Sequence, residues 1–345
     1  MTPTLHVIED LRYGGAAAQL HRCVAQSCER GEAVGVAVLA RPTDEVESIA
    51  RLGVSVTWLR SRFRVDPIAA RRLRAAIARE GVGAVQTWDT ASARLLRWTG
   101  LQPKGIAWRH VLRESSPANE GQERLLGRLL VAAQEVLVVD RSVQARAEWL
   151  GVEAVRIRLE ANRARDGLTP ITSDQRTAAR RALRAAGVPL PEGAPVLATV
   201  ARIDRAERLK ELIWAADLVR VVNPDLRLLI VGEGPIRAAC ERFAMLATEP
   251  GLVHFLGNQP DLAGVLVAAD CFWCASDSSA APTPLLEALA LGLPVVASEQ
   301  RGREELVSEE RGALLPWDDR AGWARATDRW LSGERSTSSD QAPVS

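Results

Sequence analysis

Lysine is almost absent from this chain. Of 345 residues only Lys104 and Lys210 are lysine, against 42 arginines, so a lysine at a loop-to-helix junction stands out. Long apolar runs are missing too. None approaches the roughly 20 residues that cross a bilayer, and the opening MTPTLHVIEDLRYGG has neither a basic leader nor a long apolar stretch. The sequence therefore predicts a cytoplasmic protein without a signal peptide. Cysteine is sparse: five residues, an odd number without a paired layout, argue against a disulfide framework. Cys271 and Cys274 form a C-x-x-C, but DCFWCAS reads as a strand, where residues three apart face opposite sides, so no zinc or redox role is expected. Two further absences limit the chemistry. No Gly-x-Gly-x-x-Gly follows a strand, and the second strand AVGVAVLARP ends without an acidic residue, which excludes a nicotinamide dinucleotide fingerprint. There is no Asp-x-Asp to hold a metal.

The apolar fraction of 47% and charged fraction of 25% are those of an ordinary globular protein, and the length predicts two cores. The formal charge of +1 conceals an asymmetry: residues 1–165 hold 25 Lys+Arg against 18 Asp+Glu, residues 166–345 hold 19 against 25, a difference of +7 and −6. A basic N-terminal half suits an anionic acceptor or a membrane surface, the alternative being arginines on solvated helix faces. Arg60, Arg62, Arg64, Arg71, Arg72 and Arg74 are the cluster on which a peripheral membrane contact would rest.

Short β-rich apolar runs alternate with segments of helical period, the signature of βαβ units on a parallel sheet. Strands are predicted at LHVIED, AVGVAVLA, SVTWL, AVQTW, GIAWRH, EVLVVD and VRIRLEA, then at VLATVAR, LRLLIVGEG, LVHFLG, DCFWCAS, PVVAS and GALLP. Helices are predicted over Gly15–Arg30, Pro67–Arg79, Leu125–Ala133, Asp174–Ala186, Lys210–Val222, Ile236–Ala247 and Pro284–Leu291, among others. The rhythm breaks at ANRARDGLTPITSD, residues 161–174, giving domains 1–165 and 166–331 and a polar, disordered tail from 332 to 345. The expected fold class is α/β: two Rossmann-like doubly wound domains facing across a cleft.

Ligands of such sheets bind beyond the carboxyl ends of the strands. Four loops there carry candidate chemistry. In DLRYGGAAAQL, Gly14 and Gly15 open a helix and either admit an anion close to the backbone or simply make a tight turn. In VARIDRAERLK, Arg202 leaves a strand and Lys210 starts a helix, a spacing that lets two cations meet one anion; an exposed helix-start lysine is the plainer reading. IVGEGPIR is a sharp turn with Pro235 placed to begin a helix. In SDSSAAPTPLLEALALGLPVVAS a Ser/Ala/Pro loop leads into a short apolar helix with one carboxylate, Glu287. That group either complements the helix dipole, worth ~0.3–1 kcal/mol, or accepts two hydrogen bonds from vicinal hydroxyls.

In this order and spacing, GGAAAQL, VQTWDT, NRARD, VARIDRAERLK, IVGEGPIR, VHFLGNQPDLAGVLVAADCFWCAS, PLLEALALGLPVVAS and GALLP resemble the GT-B nucleotide-sugar glycosyltransferases, specifically glycosyltransferase family 4. The resemblance spans nearly the whole chain and is strongest from Pro195 to Leu331. It implies that Arg202 and Lys210 bind the donor diphosphate and stabilise the leaving group. It further implies that Glu287 holds the ribose hydroxyls, that Gly14 and Gly15 close over phosphate and sugar, and that the loop of Gly257 and Asn258 walls the nucleobase. By the same resemblance Ser279, Thr283, Pro284 and Leu285 would line the donor side, and His110 would fall near a position beside the sugar, the alternative being an ordinary polar loop residue.

Two departures from the family pattern stand out. The first of its two motif glutamates is here Ser279, with Asp277 the nearest carboxylate to replace it, and Ala17 and Ala18 stand where many relatives have Glu and Arg. The implied activity is sugar transfer from a nucleotide-diphosphate donor to a glycan, lipid-linked or small-molecule hydroxyl. It would proceed with retention, without metal or further cofactor and without a nucleic-acid partner, in the cytoplasm or at the inner face of a membrane. Loss of the first glutamate leaves a second reading, a GT-B protein that binds a nucleotide sugar in a regulatory or partner-subunit role. A sugar-nucleotide epimerase shares the architecture.

Overall fold

The computed structural model describes residues 3–11, 15–40, 47–63, 66–100, 105–113, 120–165, 167–259, 261–277, 282–300 and 302–333. The chain divides into two compact units, Met1–Asn162 and Arg163–Ser345.

The first unit is a seven-stranded parallel sheet of β1 (Thr4–Ile8), β2 (Val34–Val38), β3 (Ser55–Trp58), β4 (Ala84–Thr87), β5 (Ala107–Leu112), β6 (Glu135–Val138) and β7 (Ile157–Leu159). Their order is β3-β2-β1-β4-β5-β6-β7, so the winding reverses between β1 and β4. Between them run α1 (Gly15–Glu29), α2 (Glu47–Ala50), α3 (Pro67–Arg79), α4 (Thr90–Trp98), α5 (Glu120–Ala132) and α6 (Arg141–Trp149). The start of α3 shows how local chemistry sets these helices. Asp66 accepts from the amides of Ile68 and Ala69, Pro67 follows with the φ a first helical residue needs, and Ala69, Leu73, Ala76 and Ile77 turn inward. The amides of Arg62, Ala69 and Ile68 hold the Asp66 carboxyl below the usual carboxylate range.

The second unit is a six-stranded parallel sheet of β8 (Val196–Val200), β9 (Arg227–Val231), β10 (Val253–Gly257), β11 (Cys271–Cys274), β12 (Val295–Ser298) and β13 (Gly312–Leu315). The order β10-β9-β8-β11-β12-β13 reverses between β8 and β11. Its helices are α7 (Ser173–Ala185), α8 (Leu209–Val222), α9 (Arg237–Ala247), α10 (Leu262–Ala268), α11 (Thr283–Ala290) and α12 (Arg320–Leu331).

Both faces of this sheet are covered, which is why its strands read as continuous apolar runs. Along β11 the side chains alternate between two cores: Cys271 and Trp273 join Trp323 and α8 on one face, Phe272 and Cys274 join Leu285 and Leu289 on the other. The Trp273 and Trp323 rings meet edge to face at 5.5 Å, and the two buried indole N–H groups donate to Thr327 Oγ1 and the Pro316 carbonyl, both at 2.9 Å. The C-x-x-C is thus divided between cores, as strand periodicity requires, and all five thiols are free.

Each predicted strand is present, although VRIRLEA contributes only the short, mostly exposed edge strand β7. Helix bounds differ more. The segment expected from Leu125 begins at Glu120, because Glu120 and Glu123 populate its first turn, where carboxylates meet the positive helix end.

Candidate functional site

The crevice of a doubly wound sheet lies where neighbouring strands send their loops in opposite directions. In the second unit these are the loops leaving β8 and β11. The β8 loop is fixed from one side by backbone bonds: the amides of Ala201 and Ile203 donate to the carbonyls of Val231 (3.0 Å) and Glu233 (2.9 Å), and Gly232 N–H donates to Gly257 O at 2.8 Å. A Cβ on Gly232 would lie 1.9 Å from Ala201 O, and one on Gly234 would lie 2.2 Å from Ile203 O. The glycines of IVGEGPIR are therefore required by close backbone approach rather than by a ligand.

From the other side the β8 loop is tied to the β11 loop. A single 3₁₀ turn, Arg205–Glu207, is capped by Asp204, whose Oδ1 accepts from Ala206 N at 2.9 Å. Ala206 O then accepts from Asp277 N at 2.9 Å, and Glu207 Oε1 accepts from Ser276 Oγ at 3.1 Å. Arg208 leaves the turn with φ of 50°, in the left-handed region that non-glycine residues rarely occupy. That conformation aims its guanidinium back at the β11 loop, where Nε and Nη2 donate to Asp277 Oδ2 at 2.9 and 2.6 Å. The guanidinium also stacks 4.4 Å from the Trp317 ring centroid. Burial pushes the Glu207 carboxyl up to about 7, opposed by the Ser276 hydrogen bond.

Beneath this loop pair lies Arg303, completely buried. Its Nη1 donates to Ser298 O (3.0 Å) and Oγ (2.6 Å), and its Nη2 donates to Ser276 O at 3.1 Å. A guanidinium thereby closes the carboxyl ends of β11 and β12 from below and fixes Ser276, the residue from which the Asp277 loop departs.

The other anchor is Glu287 on α11. Its side chain is 4% exposed, and its Oε1 accepts from Arg165 Nε at 3.0 Å. Arg165 is brought there by the start of the unit, which packs along the same helix: Leu168 and Ile171 join the core of Leu285 and Leu289, and Ile171 N–H donates to Leu291 O at 3.0 Å. Thr283, Pro284 and Leu285 form the first turn of α11. Pro284 has no N–H, and the amides of Leu285 and Leu286 donate to Pro282 O. An anion at this terminus is offered fewer amides than a run of successive N–H groups would give.

The expected cations divide. Arg202 is exposed, 3.9 Å from Asp204. Lys210, on α8, sits 5.3 Å over the Phe243 ring of α9. The cation placed on that loop is Arg208, which the spacing argument passed over because it favoured the rare lysine. Gly257 has a φ of 67° and accepts from Gly232; a Cβ there would crowd Glu233 and Arg237 at 3.1 and 3.3 Å. Asn258 follows it, half-buried. Ser279 and Gly14 lie outside the described residues, and Gly15 is described as the first residue of α1.

His110 corrects its expectation. It is not a loop residue but part of β5, 2% exposed, and its Nδ1 lies 2.8 Å from Thr87 Oγ1, which also accepts from Trp108 Nε1 at 2.9 Å. Burial lowers its pKa to about 4, so it is a neutral core imidazole with one nitrogen already engaged. The same unit's switch point is marked instead by Asp89, which caps α4 and whose Oδ2 accepts from Glu9 N at 2.6 Å, tying the β1 and β4 loops together. Among the described residues no group of three or more His, Cys, Asp or Glu side chains is arranged to hold a metal ion, and no helix is long and apolar enough to cross a membrane.

The chain is similar to several known proteins. Residues 194–333 match the family model of glycosyl transferases group 1. A D-inositol 3-phosphate glycosyltransferase of Corynebacterium urealyticum is 29% identical over 234 residues, 65% of this chain and 54% of that protein. A GDP-mannose-dependent monoacylated phosphatidylinositol monomannoside mannosyltransferase of Corynebacterium glutamicum is 30% identical over 160 residues, 44% of this chain and 40% of that protein. The chain thus spans about half the length, or less, of the curated relatives it matches. Among solved structures, Anabaena Alr3699/HepE in complex with UDP-glucose superposes with a TM-score of 0.79 at 16% identity, covering 97% of this chain and 91% of that one. WaaG, a glycosyltransferase involved in lipopolysaccharide biosynthesis, gives 0.73 at 14% identity, covering 96% and 90%. At such identities the likeness is one of fold.

Proposed function

We propose, on the premise that residues 194–333 belong to the group 1 glycosyl transferases and that the fold is that of the GT-B glycosyltransferases, that this chain moves a sugar from a nucleotide-diphosphate donor to an acceptor hydroxyl. The observation that carries this reading is the pairing of a charged loop with a buried carboxylate on one switch point: Arg208 held on Asp277, and Glu287 one helix turn beyond the same loop. A diphosphate needs the first and a ribose diol the second. UDP bound to the structural neighbour HepE and GDP-mannose used by a relative support the nucleotide class without fixing the base.

In the reaction the bond from the anomeric carbon to the diphosphate oxygen breaks and the acceptor oxygen bonds that carbon on the same face, giving retention. The acceptor proton passes to the departing diphosphate oxygen. Negative charge grows on that oxygen, and the Nη1 edge of Arg208, with Arg202 beside the same strand end, supplies fixed positive charge where it grows. One such preorganised donor is typically worth ~10²–10³ in rate. This assigns charge stabilisation to arginine without a metal.

The reading is tested by calorimetric titration with UDP, GDP, ADP and CDP. One diphosphate is expected to bind at micromolar affinity, and Glu287→Ala to weaken it at least tenfold, about 1.4 kcal/mol. If none binds, the assignment falls. Binding without turnover of any matching sugar nucleotide would instead favour the non-catalytic, nucleotide-sugar-binding reading.

The acceptor side falls to the first unit in this proposal, and its surface suits a lipid-linked or anionic acceptor. Phe63 and Ile68 are 72% and 63% exposed beside Arg60, Arg62, Arg71 and Arg74, none of which pairs with an acidic side chain among the described residues; Arg64 lies outside them. Apolar tips among unpaired cations fit a peripheral contact with an anionic bilayer, at ~1 kcal/mol per arginine. Co-sedimentation with phosphatidylglycerol vesicles is expected, lost in high salt and in Phe63→Ser/Ile68→Ser. Equal partition onto phosphatidylcholine vesicles would refute it.

A further inference from the structure

Helix α8 is apolar on two opposite sides. Inward it turns Leu209, Leu212, Ile213, Ala216 and Val219, which fill the core with Trp273 and Trp323. Outward, at the i, i+4, i+7, i+8 spacing of one helix face, it turns Trp214, Leu218, Val221 and Val222, all exposed. The neighbouring α9 continues the stripe. Its Phe243 ring meets Trp214 edge to face at 5.5 Å, and Met245 and Leu246 follow, 74% and 89% exposed. A helix apolar on both sides is normally covered on both, and here the described residues leave one side open. The six exposed side chains together present on the order of 700 Å². That exceeds the largest patch on an ordinary monomer and approaches the ~800 Å² that each partner buries in a stable complex.

Charge at the two ends of the stripe indicates what covers it. Both α8 and α9 link neighbouring parallel strands, β8 to β9 and β9 to β10, so they run in the same direction. Lys210 and Arg242 stand at the Trp214 end, Asp225 and Glu249 at the Val222 end. All four are exposed, and none pairs with an opposite charge among the described residues. On α12 the outer residues Arg325 and Arg329 are charged, so the stripe stops at α8. We infer that the stripe is a homodimer contact, α8 lying antiparallel on α8 of a second copy across a two-fold axis at Leu218. Such an isologous contact needs a patch complementary to itself. The antiparallel arrangement supplies one: Trp214 falls opposite Val222, and the cationic end of each copy meets the acidic end of the other. A parallel arrangement would set like charges together. Apolar area supplies the affinity and the end charges fix the orientation.

Sedimentation equilibrium of the full chain, from about one to a hundred micromolar, tests this. The expected species is a dimer. Leu218→Glu, which sets two carboxylates on the axis, and Met245→Ser/Leu246→Ser are each expected to raise the dissociation constant about tenfold or more. Phe63→Ser, on the first unit, should leave it unchanged, and thermal melting checks that every variant is folded. Lys210→Glu/Arg242→Glu makes both ends acidic and should weaken association about tenfold; adding Asp225→Lys/Glu249→Lys reverses the polarity and should restore it. A full chain that stays monomeric throughout the series overturns the dimer; if ending the chain at Gly333 then makes it associate, the polar tail is the cover instead. A dimer that Leu218→Glu leaves intact uses another surface and overturns the proposal equally. Failure of the polarity reversal to restore association overturns the antiparallel contact.

Discussion

Gly232→Ala is expected to destabilise the second unit by about 4 kcal/mol or more, the range reserved for backbone collision and forced dihedrals. The new Cβ would lie 1.9 Å from Ala201 O with φ at 130°, and neither backbone can retreat. Ala201 N–H is bonded to Val231 and Gly232 N–H to Gly257, so moving either one opens the ends of three neighbouring strands, β8, β9 and β10. At ~2–4 °C per kcal/mol for a domain of this size, the melting temperature should fall by about 8 °C or more. Gly193→Ala provides the control: its φ of 74° is also left-handed, but its Cβ would meet nothing within 4 Å, so only dihedral strain of ~1–2 kcal/mol is expected. The measurement is thermal unfolding followed by circular dichroism. A Gly232→Ala melting point within 2–3 °C of the unaltered chain would show that the loop lacing is not rigid.

Arg208→Ala should lower kcat with a matching sugar nucleotide by ~10²–10³, whereas Lys210→Ala should change it less than threefold. The contrast follows from where the two cations sit. Arg208 is held against Asp277 and Trp317, while the Lys210 ammonium lies over the Phe243 ring of α9. Arg208→Lys keeps a point charge but loses the planar fork and should recover part of the rate. Arg208→Gly separates the two contributions, since it relieves the left-handed φ while deleting the cation: higher stability than Arg208→Ala with the same loss of rate is the expected pattern. Steady-state kinetics on these four variants decide the matter. If Lys210→Ala costs as much as Arg208→Ala, the loop rearranges on binding and the geometry described above is not the reacting one.

Why one of these cations was legible in the sequence and the other was not is a matter of backbone dihedrals. Spacing alone places Arg202 and Lys210 at the two ends of a loop, and rarity makes the lysine conspicuous. What selects Arg208 is a left-handed residue after one 3₁₀ turn, and that depends on Asp204 capping the turn and on Asp277 being within reach. Arg165 was hidden for another reason: in NRARDG the composition marks a boundary, and only the packing of Leu168 and Ile171 on α11 shows that the boundary segment is part of the core. His110 was misread because the strand was ended one turn of alternation early, when WRHVL continues β5 inward.

The strands themselves were readable, since parallel sheets covered on both faces need unbroken apolar runs. Several helices beyond those named carry a side-chain cap, Asp89 for α4, Asp140 for α6, Asp261 for α10 and Asp319 for α12. That signal was present in the sequence and is more reliable than their short apolar periodicity.

The distribution of the five thiols turns the second unit into its own unfolding clock. Cys240, Cys271 and Cys274 are buried there, while Cys23 and Cys28 of the first unit are half-buried. Burial pushes the Cys271 thiol far up, so no thiolate is available to an alkylating reagent while β11 stays closed. Cys271 and Cys274 report opposite faces of one strand, so equal labelling rates mean that the whole sheet has opened, and unequal rates mean that one helical layer has lifted first. Mass spectrometry of the alkylated chain would then time the opening of each layer separately, without any probe being introduced.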